Sequence, residues 1–309
     1  MNLKKPKFWD LNKPNVYAYL LLPLSVFLQL INLIKLKPKI KKTKIRTICV
    51  GNIYIGGTGK TSLCIKINEI LNKKNIKSCF IKKFYKNQID EQEILKSRGK
   101  LFTSYSRKYA INQAEKEGYE FAILDDGLQD HSINTDVKLV CFNNINWIGN
   151  GFTIPSGPLR ESIDNIKKYQ NVFLNGNLEN LENLENKLTK LNPKINIHLG
   201  KYEPTNLNEF DKNDKYLVFS GIGNHKTFLS MIKNIGLNIC KDLEFPDHYL
   251  YSKKDINKIL DQARNLNCKI ITTEKDYLRL KNYNLTEIKF IKSELKIINE
   301  EKLLNIIIK

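Results

Sequence analysis

Short apolar runs alternate along most of this chain with longer stretches in which apolar residues recur every three or four positions. The runs TICVG (47–51), SCFIKK (78–83), FAILDD (121–126), VKLVCF (137–142) and NVFL (171–174) read as strands. YLVFSGIG (216–223), CKIITTEKD (268–276) and IKFIK (288–292) form a second series. Unbroken apolar strands separated by helical patterns predict parallel sheets covered by helices, in two α/β halves. The boundary is expected within 165–213. That stretch includes LENLENLEN, whose leucines (Leu178, Leu181, Leu184, then Leu188 and Leu191) share one helix face and predict a surface helix without chemistry.

The first 46 residues break the pattern. VYAYLLLPLSVFLQLINLI (16–34) is apolar, interrupted by Pro23, Ser25, Gln29 and Asn32, and flanked by eleven basic residues and one acid, Asp10. Its length is near the minimum for a membrane span, and positive charge on both sides gives no orientation. The basic LKPKIKKTK that follows is unlike a signal-peptide cleavage site. A helix lying in the membrane interface, with lysines on anionic headgroups, is the expectation; a span and a core helix are the alternatives.

Composition adds a formal net charge of +19 over 309 residues, from 51 Lys+Arg against 32 Asp+Glu. Only six of the basic residues are Arg, in a chain rich in Lys, Asn and Ile, so codon bias accounts for part of the charge. Nucleic acid, an anionic membrane and a phosphorylated substrate are all compatible with it, but no nucleic-acid-binding signature is present and no nucleic-acid partner is expected. The six cysteines form no CxxC pair and mostly occupy apolar runs, which predicts buried free thiols in a reducing compartment.

VGNIYIGGTGKTS (50–62) carries the strongest chemical signal. It follows a strand and precedes a helical pattern, so Gly56, Gly57, Thr58 and Gly59 are expected to turn backbone amides into an anion nest at a helix N-terminus. Lys60 then reaches the β and γ phosphates of a nucleotide, the Thr61 hydroxyl ligates Mg²⁺, and Ser62 completes the loop. The loop is not a strict G-x-x-x-x-G-K-T, because Tyr54 stands at the first glycine position. A partition-type ATPase would carry a signature lysine where this chain has Ile55, which weighs against that alternative.

Asp125 and Asp126 end the FAILDD strand, where a Mg²⁺-binding carboxylate belongs beside a phosphate loop; helix capping is the competing role. GNGFTIPSGPLRES (149–162) offers Arg160 to phosphate and Glu161 to metal or nucleotide, against a plain surface ion pair. FPDH (245–248) and TTEKD (272–276) place further polar residues after apolar runs, where α/β proteins bind ligands.

In this order, VGNxxxGGTGKT, DDGLQ, GNGxxxPxGPLRE, GIG, FPDH and TTEKD resemble the tetraacyldisaccharide 4'-kinase family, the lipid A 4'-kinases. The resemblance implies two α/β/α domains, the first a P-loop NTPase-like core with a parallel sheet, plus an N-terminal membrane-associating helix. The segments expected are 1–45 for the membrane-associating part, 46–168 for the kinase domain and 169–309 for a second domain closing the active-site cleft. It implies transfer of the ATP γ-phosphate to the 4'-hydroxyl of a tetraacyldisaccharide 1-phosphate at the cytoplasmic face of the inner membrane. ATP and Mg²⁺ are the implied cofactors, the lipid A precursor and an anionic membrane surface the partners, and no obligate protein partner is evident. Lys60 and Thr61 map onto phosphate and metal binding, Asp125 and Asp126 onto the acidic metal site, and Glu161 onto the acid near the nucleotide. The family's Asp-His pair maps onto Asp90, in IDEQEIL (89–95), and His248. Where the family has Ser-Arg-Gly-Tyr-Gly-Arg, this chain reads KKFYKN, which makes Lys82, Lys83 or Lys86 the candidates to hold substrate phosphate; Asp130 also stands where the family has His.

Overall fold

The structure, a computed structural model, describes residues 5–34, 43–85, 88–176, 181–280, 283 and 285–309. Lys86 and Leu178 lie outside the described residues. Two compact units are present, one formed by residues 1–200 with 297–309 and the other by 201–296.

The larger sheet has eight strands: β1 (Arg46–Gly51), β2 (Ser78–Lys83), β3 (Leu101–Ser104), β4 (Phe121–Asp125), β5 (Val137–Asn143), β6 (Asn171–Asn175) and β7 (Asn196–Pro204), with β12 (Ser293–Ile297) at one edge. Their order is β12-β7-β6-β5-β1-β4-β2-β3, and every pairing from β7 to β3 is parallel. Helices cover parallel strands on both faces, so the central strands are apolar throughout instead of alternating. All five residues of β4 and of β6 are buried, as are the last five of β1. Among the helices, α2 (Lys60–Lys73) buries Leu63, Cys64, Ile67, Ile70 and Leu71, one stripe at helical spacing, against this sheet. α3 (Ile89–Arg98) and α4 (Arg107–Lys116) follow β2 and β3, and the Ser106 hydroxyl caps α4 by accepting from the Tyr109 N–H.

The change of unit falls at Gly200, inside the expected 165–213 stretch and later than the 168 given for the end of the kinase domain, because pairing and packing carry the chain on in the first unit. β6 bonds to β5, and the leucine-rich α5 (Leu181–Leu191) inserts Leu181 and Leu188 into the first core. The last helix, α9 (Glu300–Ile308), also belongs to the first unit: Arg46 Nε donates to the Ile307 carbonyl at 2.6 Å, and Lys66 pairs with Glu300 at 3.0 Å.

Among the described residues of the expected 1–45 segment, one long helix packs on a loop of the first unit. α1 (Val16–Ile34) lies on the 150–160 loop, where the Ser25 hydroxyl donates to the Thr153 carbonyl and meets the Ser156 hydroxyl, each at 2.9 Å. Gln29 reaches the Arg160 carbonyl at 3.3 Å, and Tyr19 packs edge-on against Phe152. Ala18 and Ser25 are buried, whereas Val16, Tyr17, Leu20, Leu24, Phe27 and Leu30 are exposed. Among the described residues no helix is long and apolar enough to cross a membrane.

The second unit is a four-stranded parallel sheet in the order β11-β10-β8-β9. Its strands are β8 (Lys215–Ser220), β9 (Asn238–Glu244), β10 (Lys269–Thr273) and β11 (Ile288–Ile291), and its helices are α6 (His225–Asn234), α7 (Lys253–Asn265) and α8 (Glu274–Leu280). A capping box between Ser252 and Asp255 starts α7.

Four cysteines match the expected buried thiols: burial pushes Cys49 and Cys79 up to about 12, and Cys64 and Cys141 also well above an ordinary thiol. The other two correct that expectation. Cys240 is exposed on the edge strand β9, Cys268 is half-buried before β10, and their sulfurs are joined in a disulfide.

Candidate active site

Because β1, β4, β2, β5 and β6 run parallel, their carboxyl ends share one edge of the first sheet, the edge where α/β folds bind ligands. The phosphate loop leaves β1 there. Gly56 and Gly59 adopt φ of +136° and +78°, conformations that cost glycine little, and Gly59 delivers the chain into α2 at Lys60. The first-turn amides of a helix lack intrahelical acceptors and lie at the positive end of its dipole, so this turn is a ready anion seat.

The loop is held from three sides. Asn52 Nδ2 donates to the Tyr54 carbonyl at 2.5 Å and the Gly56 carbonyl at 3.3 Å. Asn175, at the end of β6, donates to the Thr58 carbonyl at 2.7 Å. The GPLRE segment straps the remaining side, with the Ile55 N–H on the Pro158 carbonyl at 2.8 Å and the Arg160 N–H on the Ile53 carbonyl at 2.7 Å.

Asp125 ends β4 fully buried, and its Oδ2 accepts from the Thr61 hydroxyl at 3.3 Å and from Lys82 Nζ at 2.5 Å. Its Oδ1 is buried with no hydrogen-bond partner, as is Thr58 Oγ1. A buried carboxylate oxygen without a donor is costly unless something else satisfies it. Mg²⁺ takes one or two protein oxygens and completes its octahedron with water and phosphate. The Thr61 hydroxyl and Asp125 Oδ1 fit that requirement, and among the described residues no cluster of three or more His, Cys, Asp or Glu competes for it.

Asp126, the second acid expected in the metal site, is held by two arginines. Arg160 grips its two oxygens at 2.8 and 3.2 Å, and Arg107 donates to its carbonyl. Burial alone would raise this carboxyl, but Lys60, Arg160 and Arg107 outweigh it and hold it down at about 2. The residue adopts φ +61°, which turns its side chain away from the strand direction that Asp125 follows. Two adjacent acids therefore divide the work: Asp125 faces Thr61, and Asp126 anchors Arg160.

Glu161 accepts three hydrogen bonds, from Gln129 Nε2 at 3.0 Å, the Tyr169 hydroxyl at 2.9 Å and Asn165 Nδ2 at 2.9 Å. Gln129 also donates to the Asn52 carbonyl at 3.1 Å, so Glu161 braces the loop through it. Asp130 is held by Arg107 at 2.9 Å and by Ser132. Of the lysine candidates, Lys82 is buried between carboxylates, and Lys83 lies 5.8 Å from the centre of the Tyr85 ring. Asn52, Gln129 and Arg160 lie within quoted motifs, whereas Arg107 and Asn175 lie outside every one of them and had no sequence signal.

Asp90 stands half-buried in the first turn of α3, in the first unit. His248 belongs to the second unit, where it adopts φ +56° and its N–H bonds the Gly221 carbonyl at 3.1 Å. Two residues of TTEKD, Thr273 and Asp276, close on this same loop. The buried Asp276 accepts from the Gly221 N–H at 3.0 Å, the Tyr251 hydroxyl at 2.9 Å, Thr273 Oγ1 at 2.7 Å and Arg279 at 2.9 Å. Arg279 also donates to the Gly221 carbonyl at 2.7 Å. A Cβ on Gly221 would meet Tyr249 Cβ and the Tyr251 hydroxyl at 3.0 Å, which explains the glycine. Three motifs thus form one scaffold under His248.

The tetraacyldisaccharide-1-P 4'-kinase family model matches residues 17–309. Over 309 residues the chain is 61% identical to the tetraacyldisaccharide 4'-kinase of Pelagibacter ubique (strain HTCC1062), covering 100% of this chain and 98% of that protein. It is 34% identical over 304 residues to the enzyme of the same name from Rickettsia canadensis (strain McKiel), covering 92% and 90%. Its fold is similar to that of the Aquifex aeolicus LpxK crystal structure in complex with ATP, at a TM-score of 0.64 and 22% identity, covering 94% of this chain and 96% of that one. Matched along nearly its whole length, the chain belongs to the tetraacyldisaccharide 4'-kinase family.

Proposed function

We infer that this protein is an ATP-dependent lipid kinase that phosphorylates the 4'-hydroxyl of a tetraacyldisaccharide 1-phosphate, a step of lipid A biosynthesis. The observation that carries this reading is the end-to-end similarity to the Pelagibacter ubique kinase, with the phosphate loop and its carboxylates assembled on one sheet edge. The nucleotide, with Mg²⁺, supplies the phosphoryl group and a counter-charge for its oxygens. The amides of Gly56, Gly57, Thr58 and Gly59 and the turn Lys60, Thr61 and Ser62 seat the phosphates. Thr61 and Asp125 would hold the metal. Arg160, fixed by Asp126, is a rigid donor for phosphate oxygens, and Glu161 keeps the strap at the proper distance from the loop. His248, working with Asp90, takes the proton from the attacking sugar hydroxyl.

The test is direct. Purified full-length protein with Mg·ATP and a tetraacyldisaccharide 1-phosphate in detergent is expected to yield the 1,4'-bisphosphate, detected by mass spectrometry. Absence of product, with ATP hydrolysed at the same rate whether or not lipid is present, would replace this reading by a P-loop switch ATPase.

Membrane association at the cytoplasmic face of the inner membrane belongs to the same proposal. It is supported by the exposed apolar side of α1, whose opposite side is fixed by Ser25, and by the basic residues flanking the helix. Replacing Leu20 and Phe27 together by Glu puts two charges on the exposed side only. The expected result is about a tenfold loss of binding to anionic vesicles in flotation. Unchanged flotation in a normally folded variant would sink the anchor.

A further inference from the structure

Lys82 is the fifth residue of β2, in register with Asp125, so two parallel strands end by bringing an ammonium and a carboxylate together inside the protein. Its side chain is 3% exposed, and that of Asp125 is 1% exposed. Nζ lies 2.5 Å from Asp125 Oδ2 and 2.7 Å from Glu91 Oε2 on α3. Burial would lower the Lys82 ammonium, but Asp125 and then Glu91 more than reverse that effect, so the lysine stays charged. The charge is thus spent on carboxylates, not offered to a substrate phosphate.

The arrangement leaves an asymmetry at Asp125. Oδ2 has two donors, Lys82 and Thr61, while Oδ1 is buried and bare. A buried carboxylate and a half-buried one converging on one cation would, without the lysine, attract a free divalent ion from solution. We propose that Lys82 is a positioning residue for the nucleotide-metal site: its ammonium occupies the space between Asp125 and Glu91, turns Asp125 Oδ1 toward the metal that arrives with nucleotide, and keeps the pair from binding a metal alone. The proposal rests on the reading of Asp125 as a metal ligand. It makes metal capture depend on the nucleotide, because the protein offers one bare carboxylate oxygen and one hydroxyl until phosphate oxygens are added.

The test uses Mn²⁺ as probe, followed by electron paramagnetic resonance on the full-length protein, with and without ATP. Wild-type protein free of nucleotide is expected to bind Mn²⁺ at least about tenfold more weakly than Lys82→Met, in which the two carboxylates face each other without an ammonium. With ATP present, Lys82→Met is expected to lose about 10- to 100-fold in kcat, with little change in KM for the lipid. Adding Glu91→Gln to Lys82→Met is expected to remove the gained Mn²⁺ binding. A rise in lipid KM at unchanged kcat would overturn the proposal and return Lys82 to substrate phosphate. So would Lys82→Met with wild-type Mn²⁺ binding and turnover. Should Lys82→Met fail to fold, wild-type protein decides: tight Mn²⁺ binding without ATP means the ammonium does not exclude metal, and the proposal falls. Asp125→Asn separates the two claims, because unchanged Mn²⁺·ATP binding there defeats the metal-ligand reading itself, whatever Lys82 does.

Discussion

Lys60→Ala is expected to lower kcat for lipid phosphorylation by about three orders of magnitude or more while the protein remains folded. The lysine opens α2, where no core contact depends on its side chain: the buried stripe of the helix is Leu63, Cys64, Ile67, Ile70 and Leu71. Its charge acts on the site in two ways. By its place in the loop it is the cation expected at the β and γ phosphates, and among the charged groups around Asp126 it has the strongest effect in holding that carboxyl at about 2. A carboxyl depressed from 3.8 to about 2 stabilises the fold above pH 3.8, and that contribution, about 2 kcal/mol, is lost as pH falls through about 2. In Lys60→Ala the carboxyl rises toward its ordinary value, so acid unfolding moves to higher pH while stability at neutral pH changes less than activity. Steady-state kinetics with an acid titration of the circular dichroism signal measures both. Turnover within about tenfold of wild type would mean that phosphate charge is met elsewhere in the site.

The sequence made the parallel cores legible because the buried strands there are unbroken apolar runs. β1, β2, β4, β5, β6, β8, β10 and β11 all begin and end within a residue or a few of where those runs predict. What escaped is equally physical. β9 and β12 lie at sheet edges and read as NICKDLE and SELKI, with charged residues on the open side. β3 is only four residues long, and β7 alternates in a weak pattern. At the site, a phosphate loop is a local object, so seven consecutive positions suffice to name it. Pairings between motifs are not local. Nothing in DDGLQ or GPLRE says that Asp126 turns to Arg160 while Asp125 turns to Thr61; that division comes from the backbone of Asp126 at φ +61°. Lys82 was a candidate for substrate phosphate at the end of a strand. Only the register of β2 against β4 puts it beside Asp125, although strand order and the shared carboxyl ends would have allowed the inference. TTEKD shows the converse case, a motif whose position suggested ligand chemistry and whose Asp276, tied to Thr273, holds the loop of His248.

His248→Ala and Asp90→Asn are each expected to slow kcat by about 10²- to 10⁴-fold, and the double variant is expected to be no slower than the slower single one. Residues that act as one unit lose their joint contribution at the first substitution, so the second costs little. If the two acted independently, their effects would multiply, and the cycle would show it. The structure specifies controls for each partner. His248 rests on Gly221, Asp276 and Arg279, so Asp276→Asn weakens the support without touching the imidazole and is expected to cost less than His248→Ala in kcat. Asp90 lies in the first turn of α3, where an acid also complements the helix dipole; Asp90→Asn keeps the side-chain shape, and thermal unfolding close to wild type confirms that the loss is chemical. Nucleotide affinity is the second control, because neither residue lies on the phosphate loop. ATP binding unchanged with turnover lost assigns the pair to the acceptor hydroxyl, whereas multiplicative losses would leave the proton to another base and make the Asp-His pair two separate contacts.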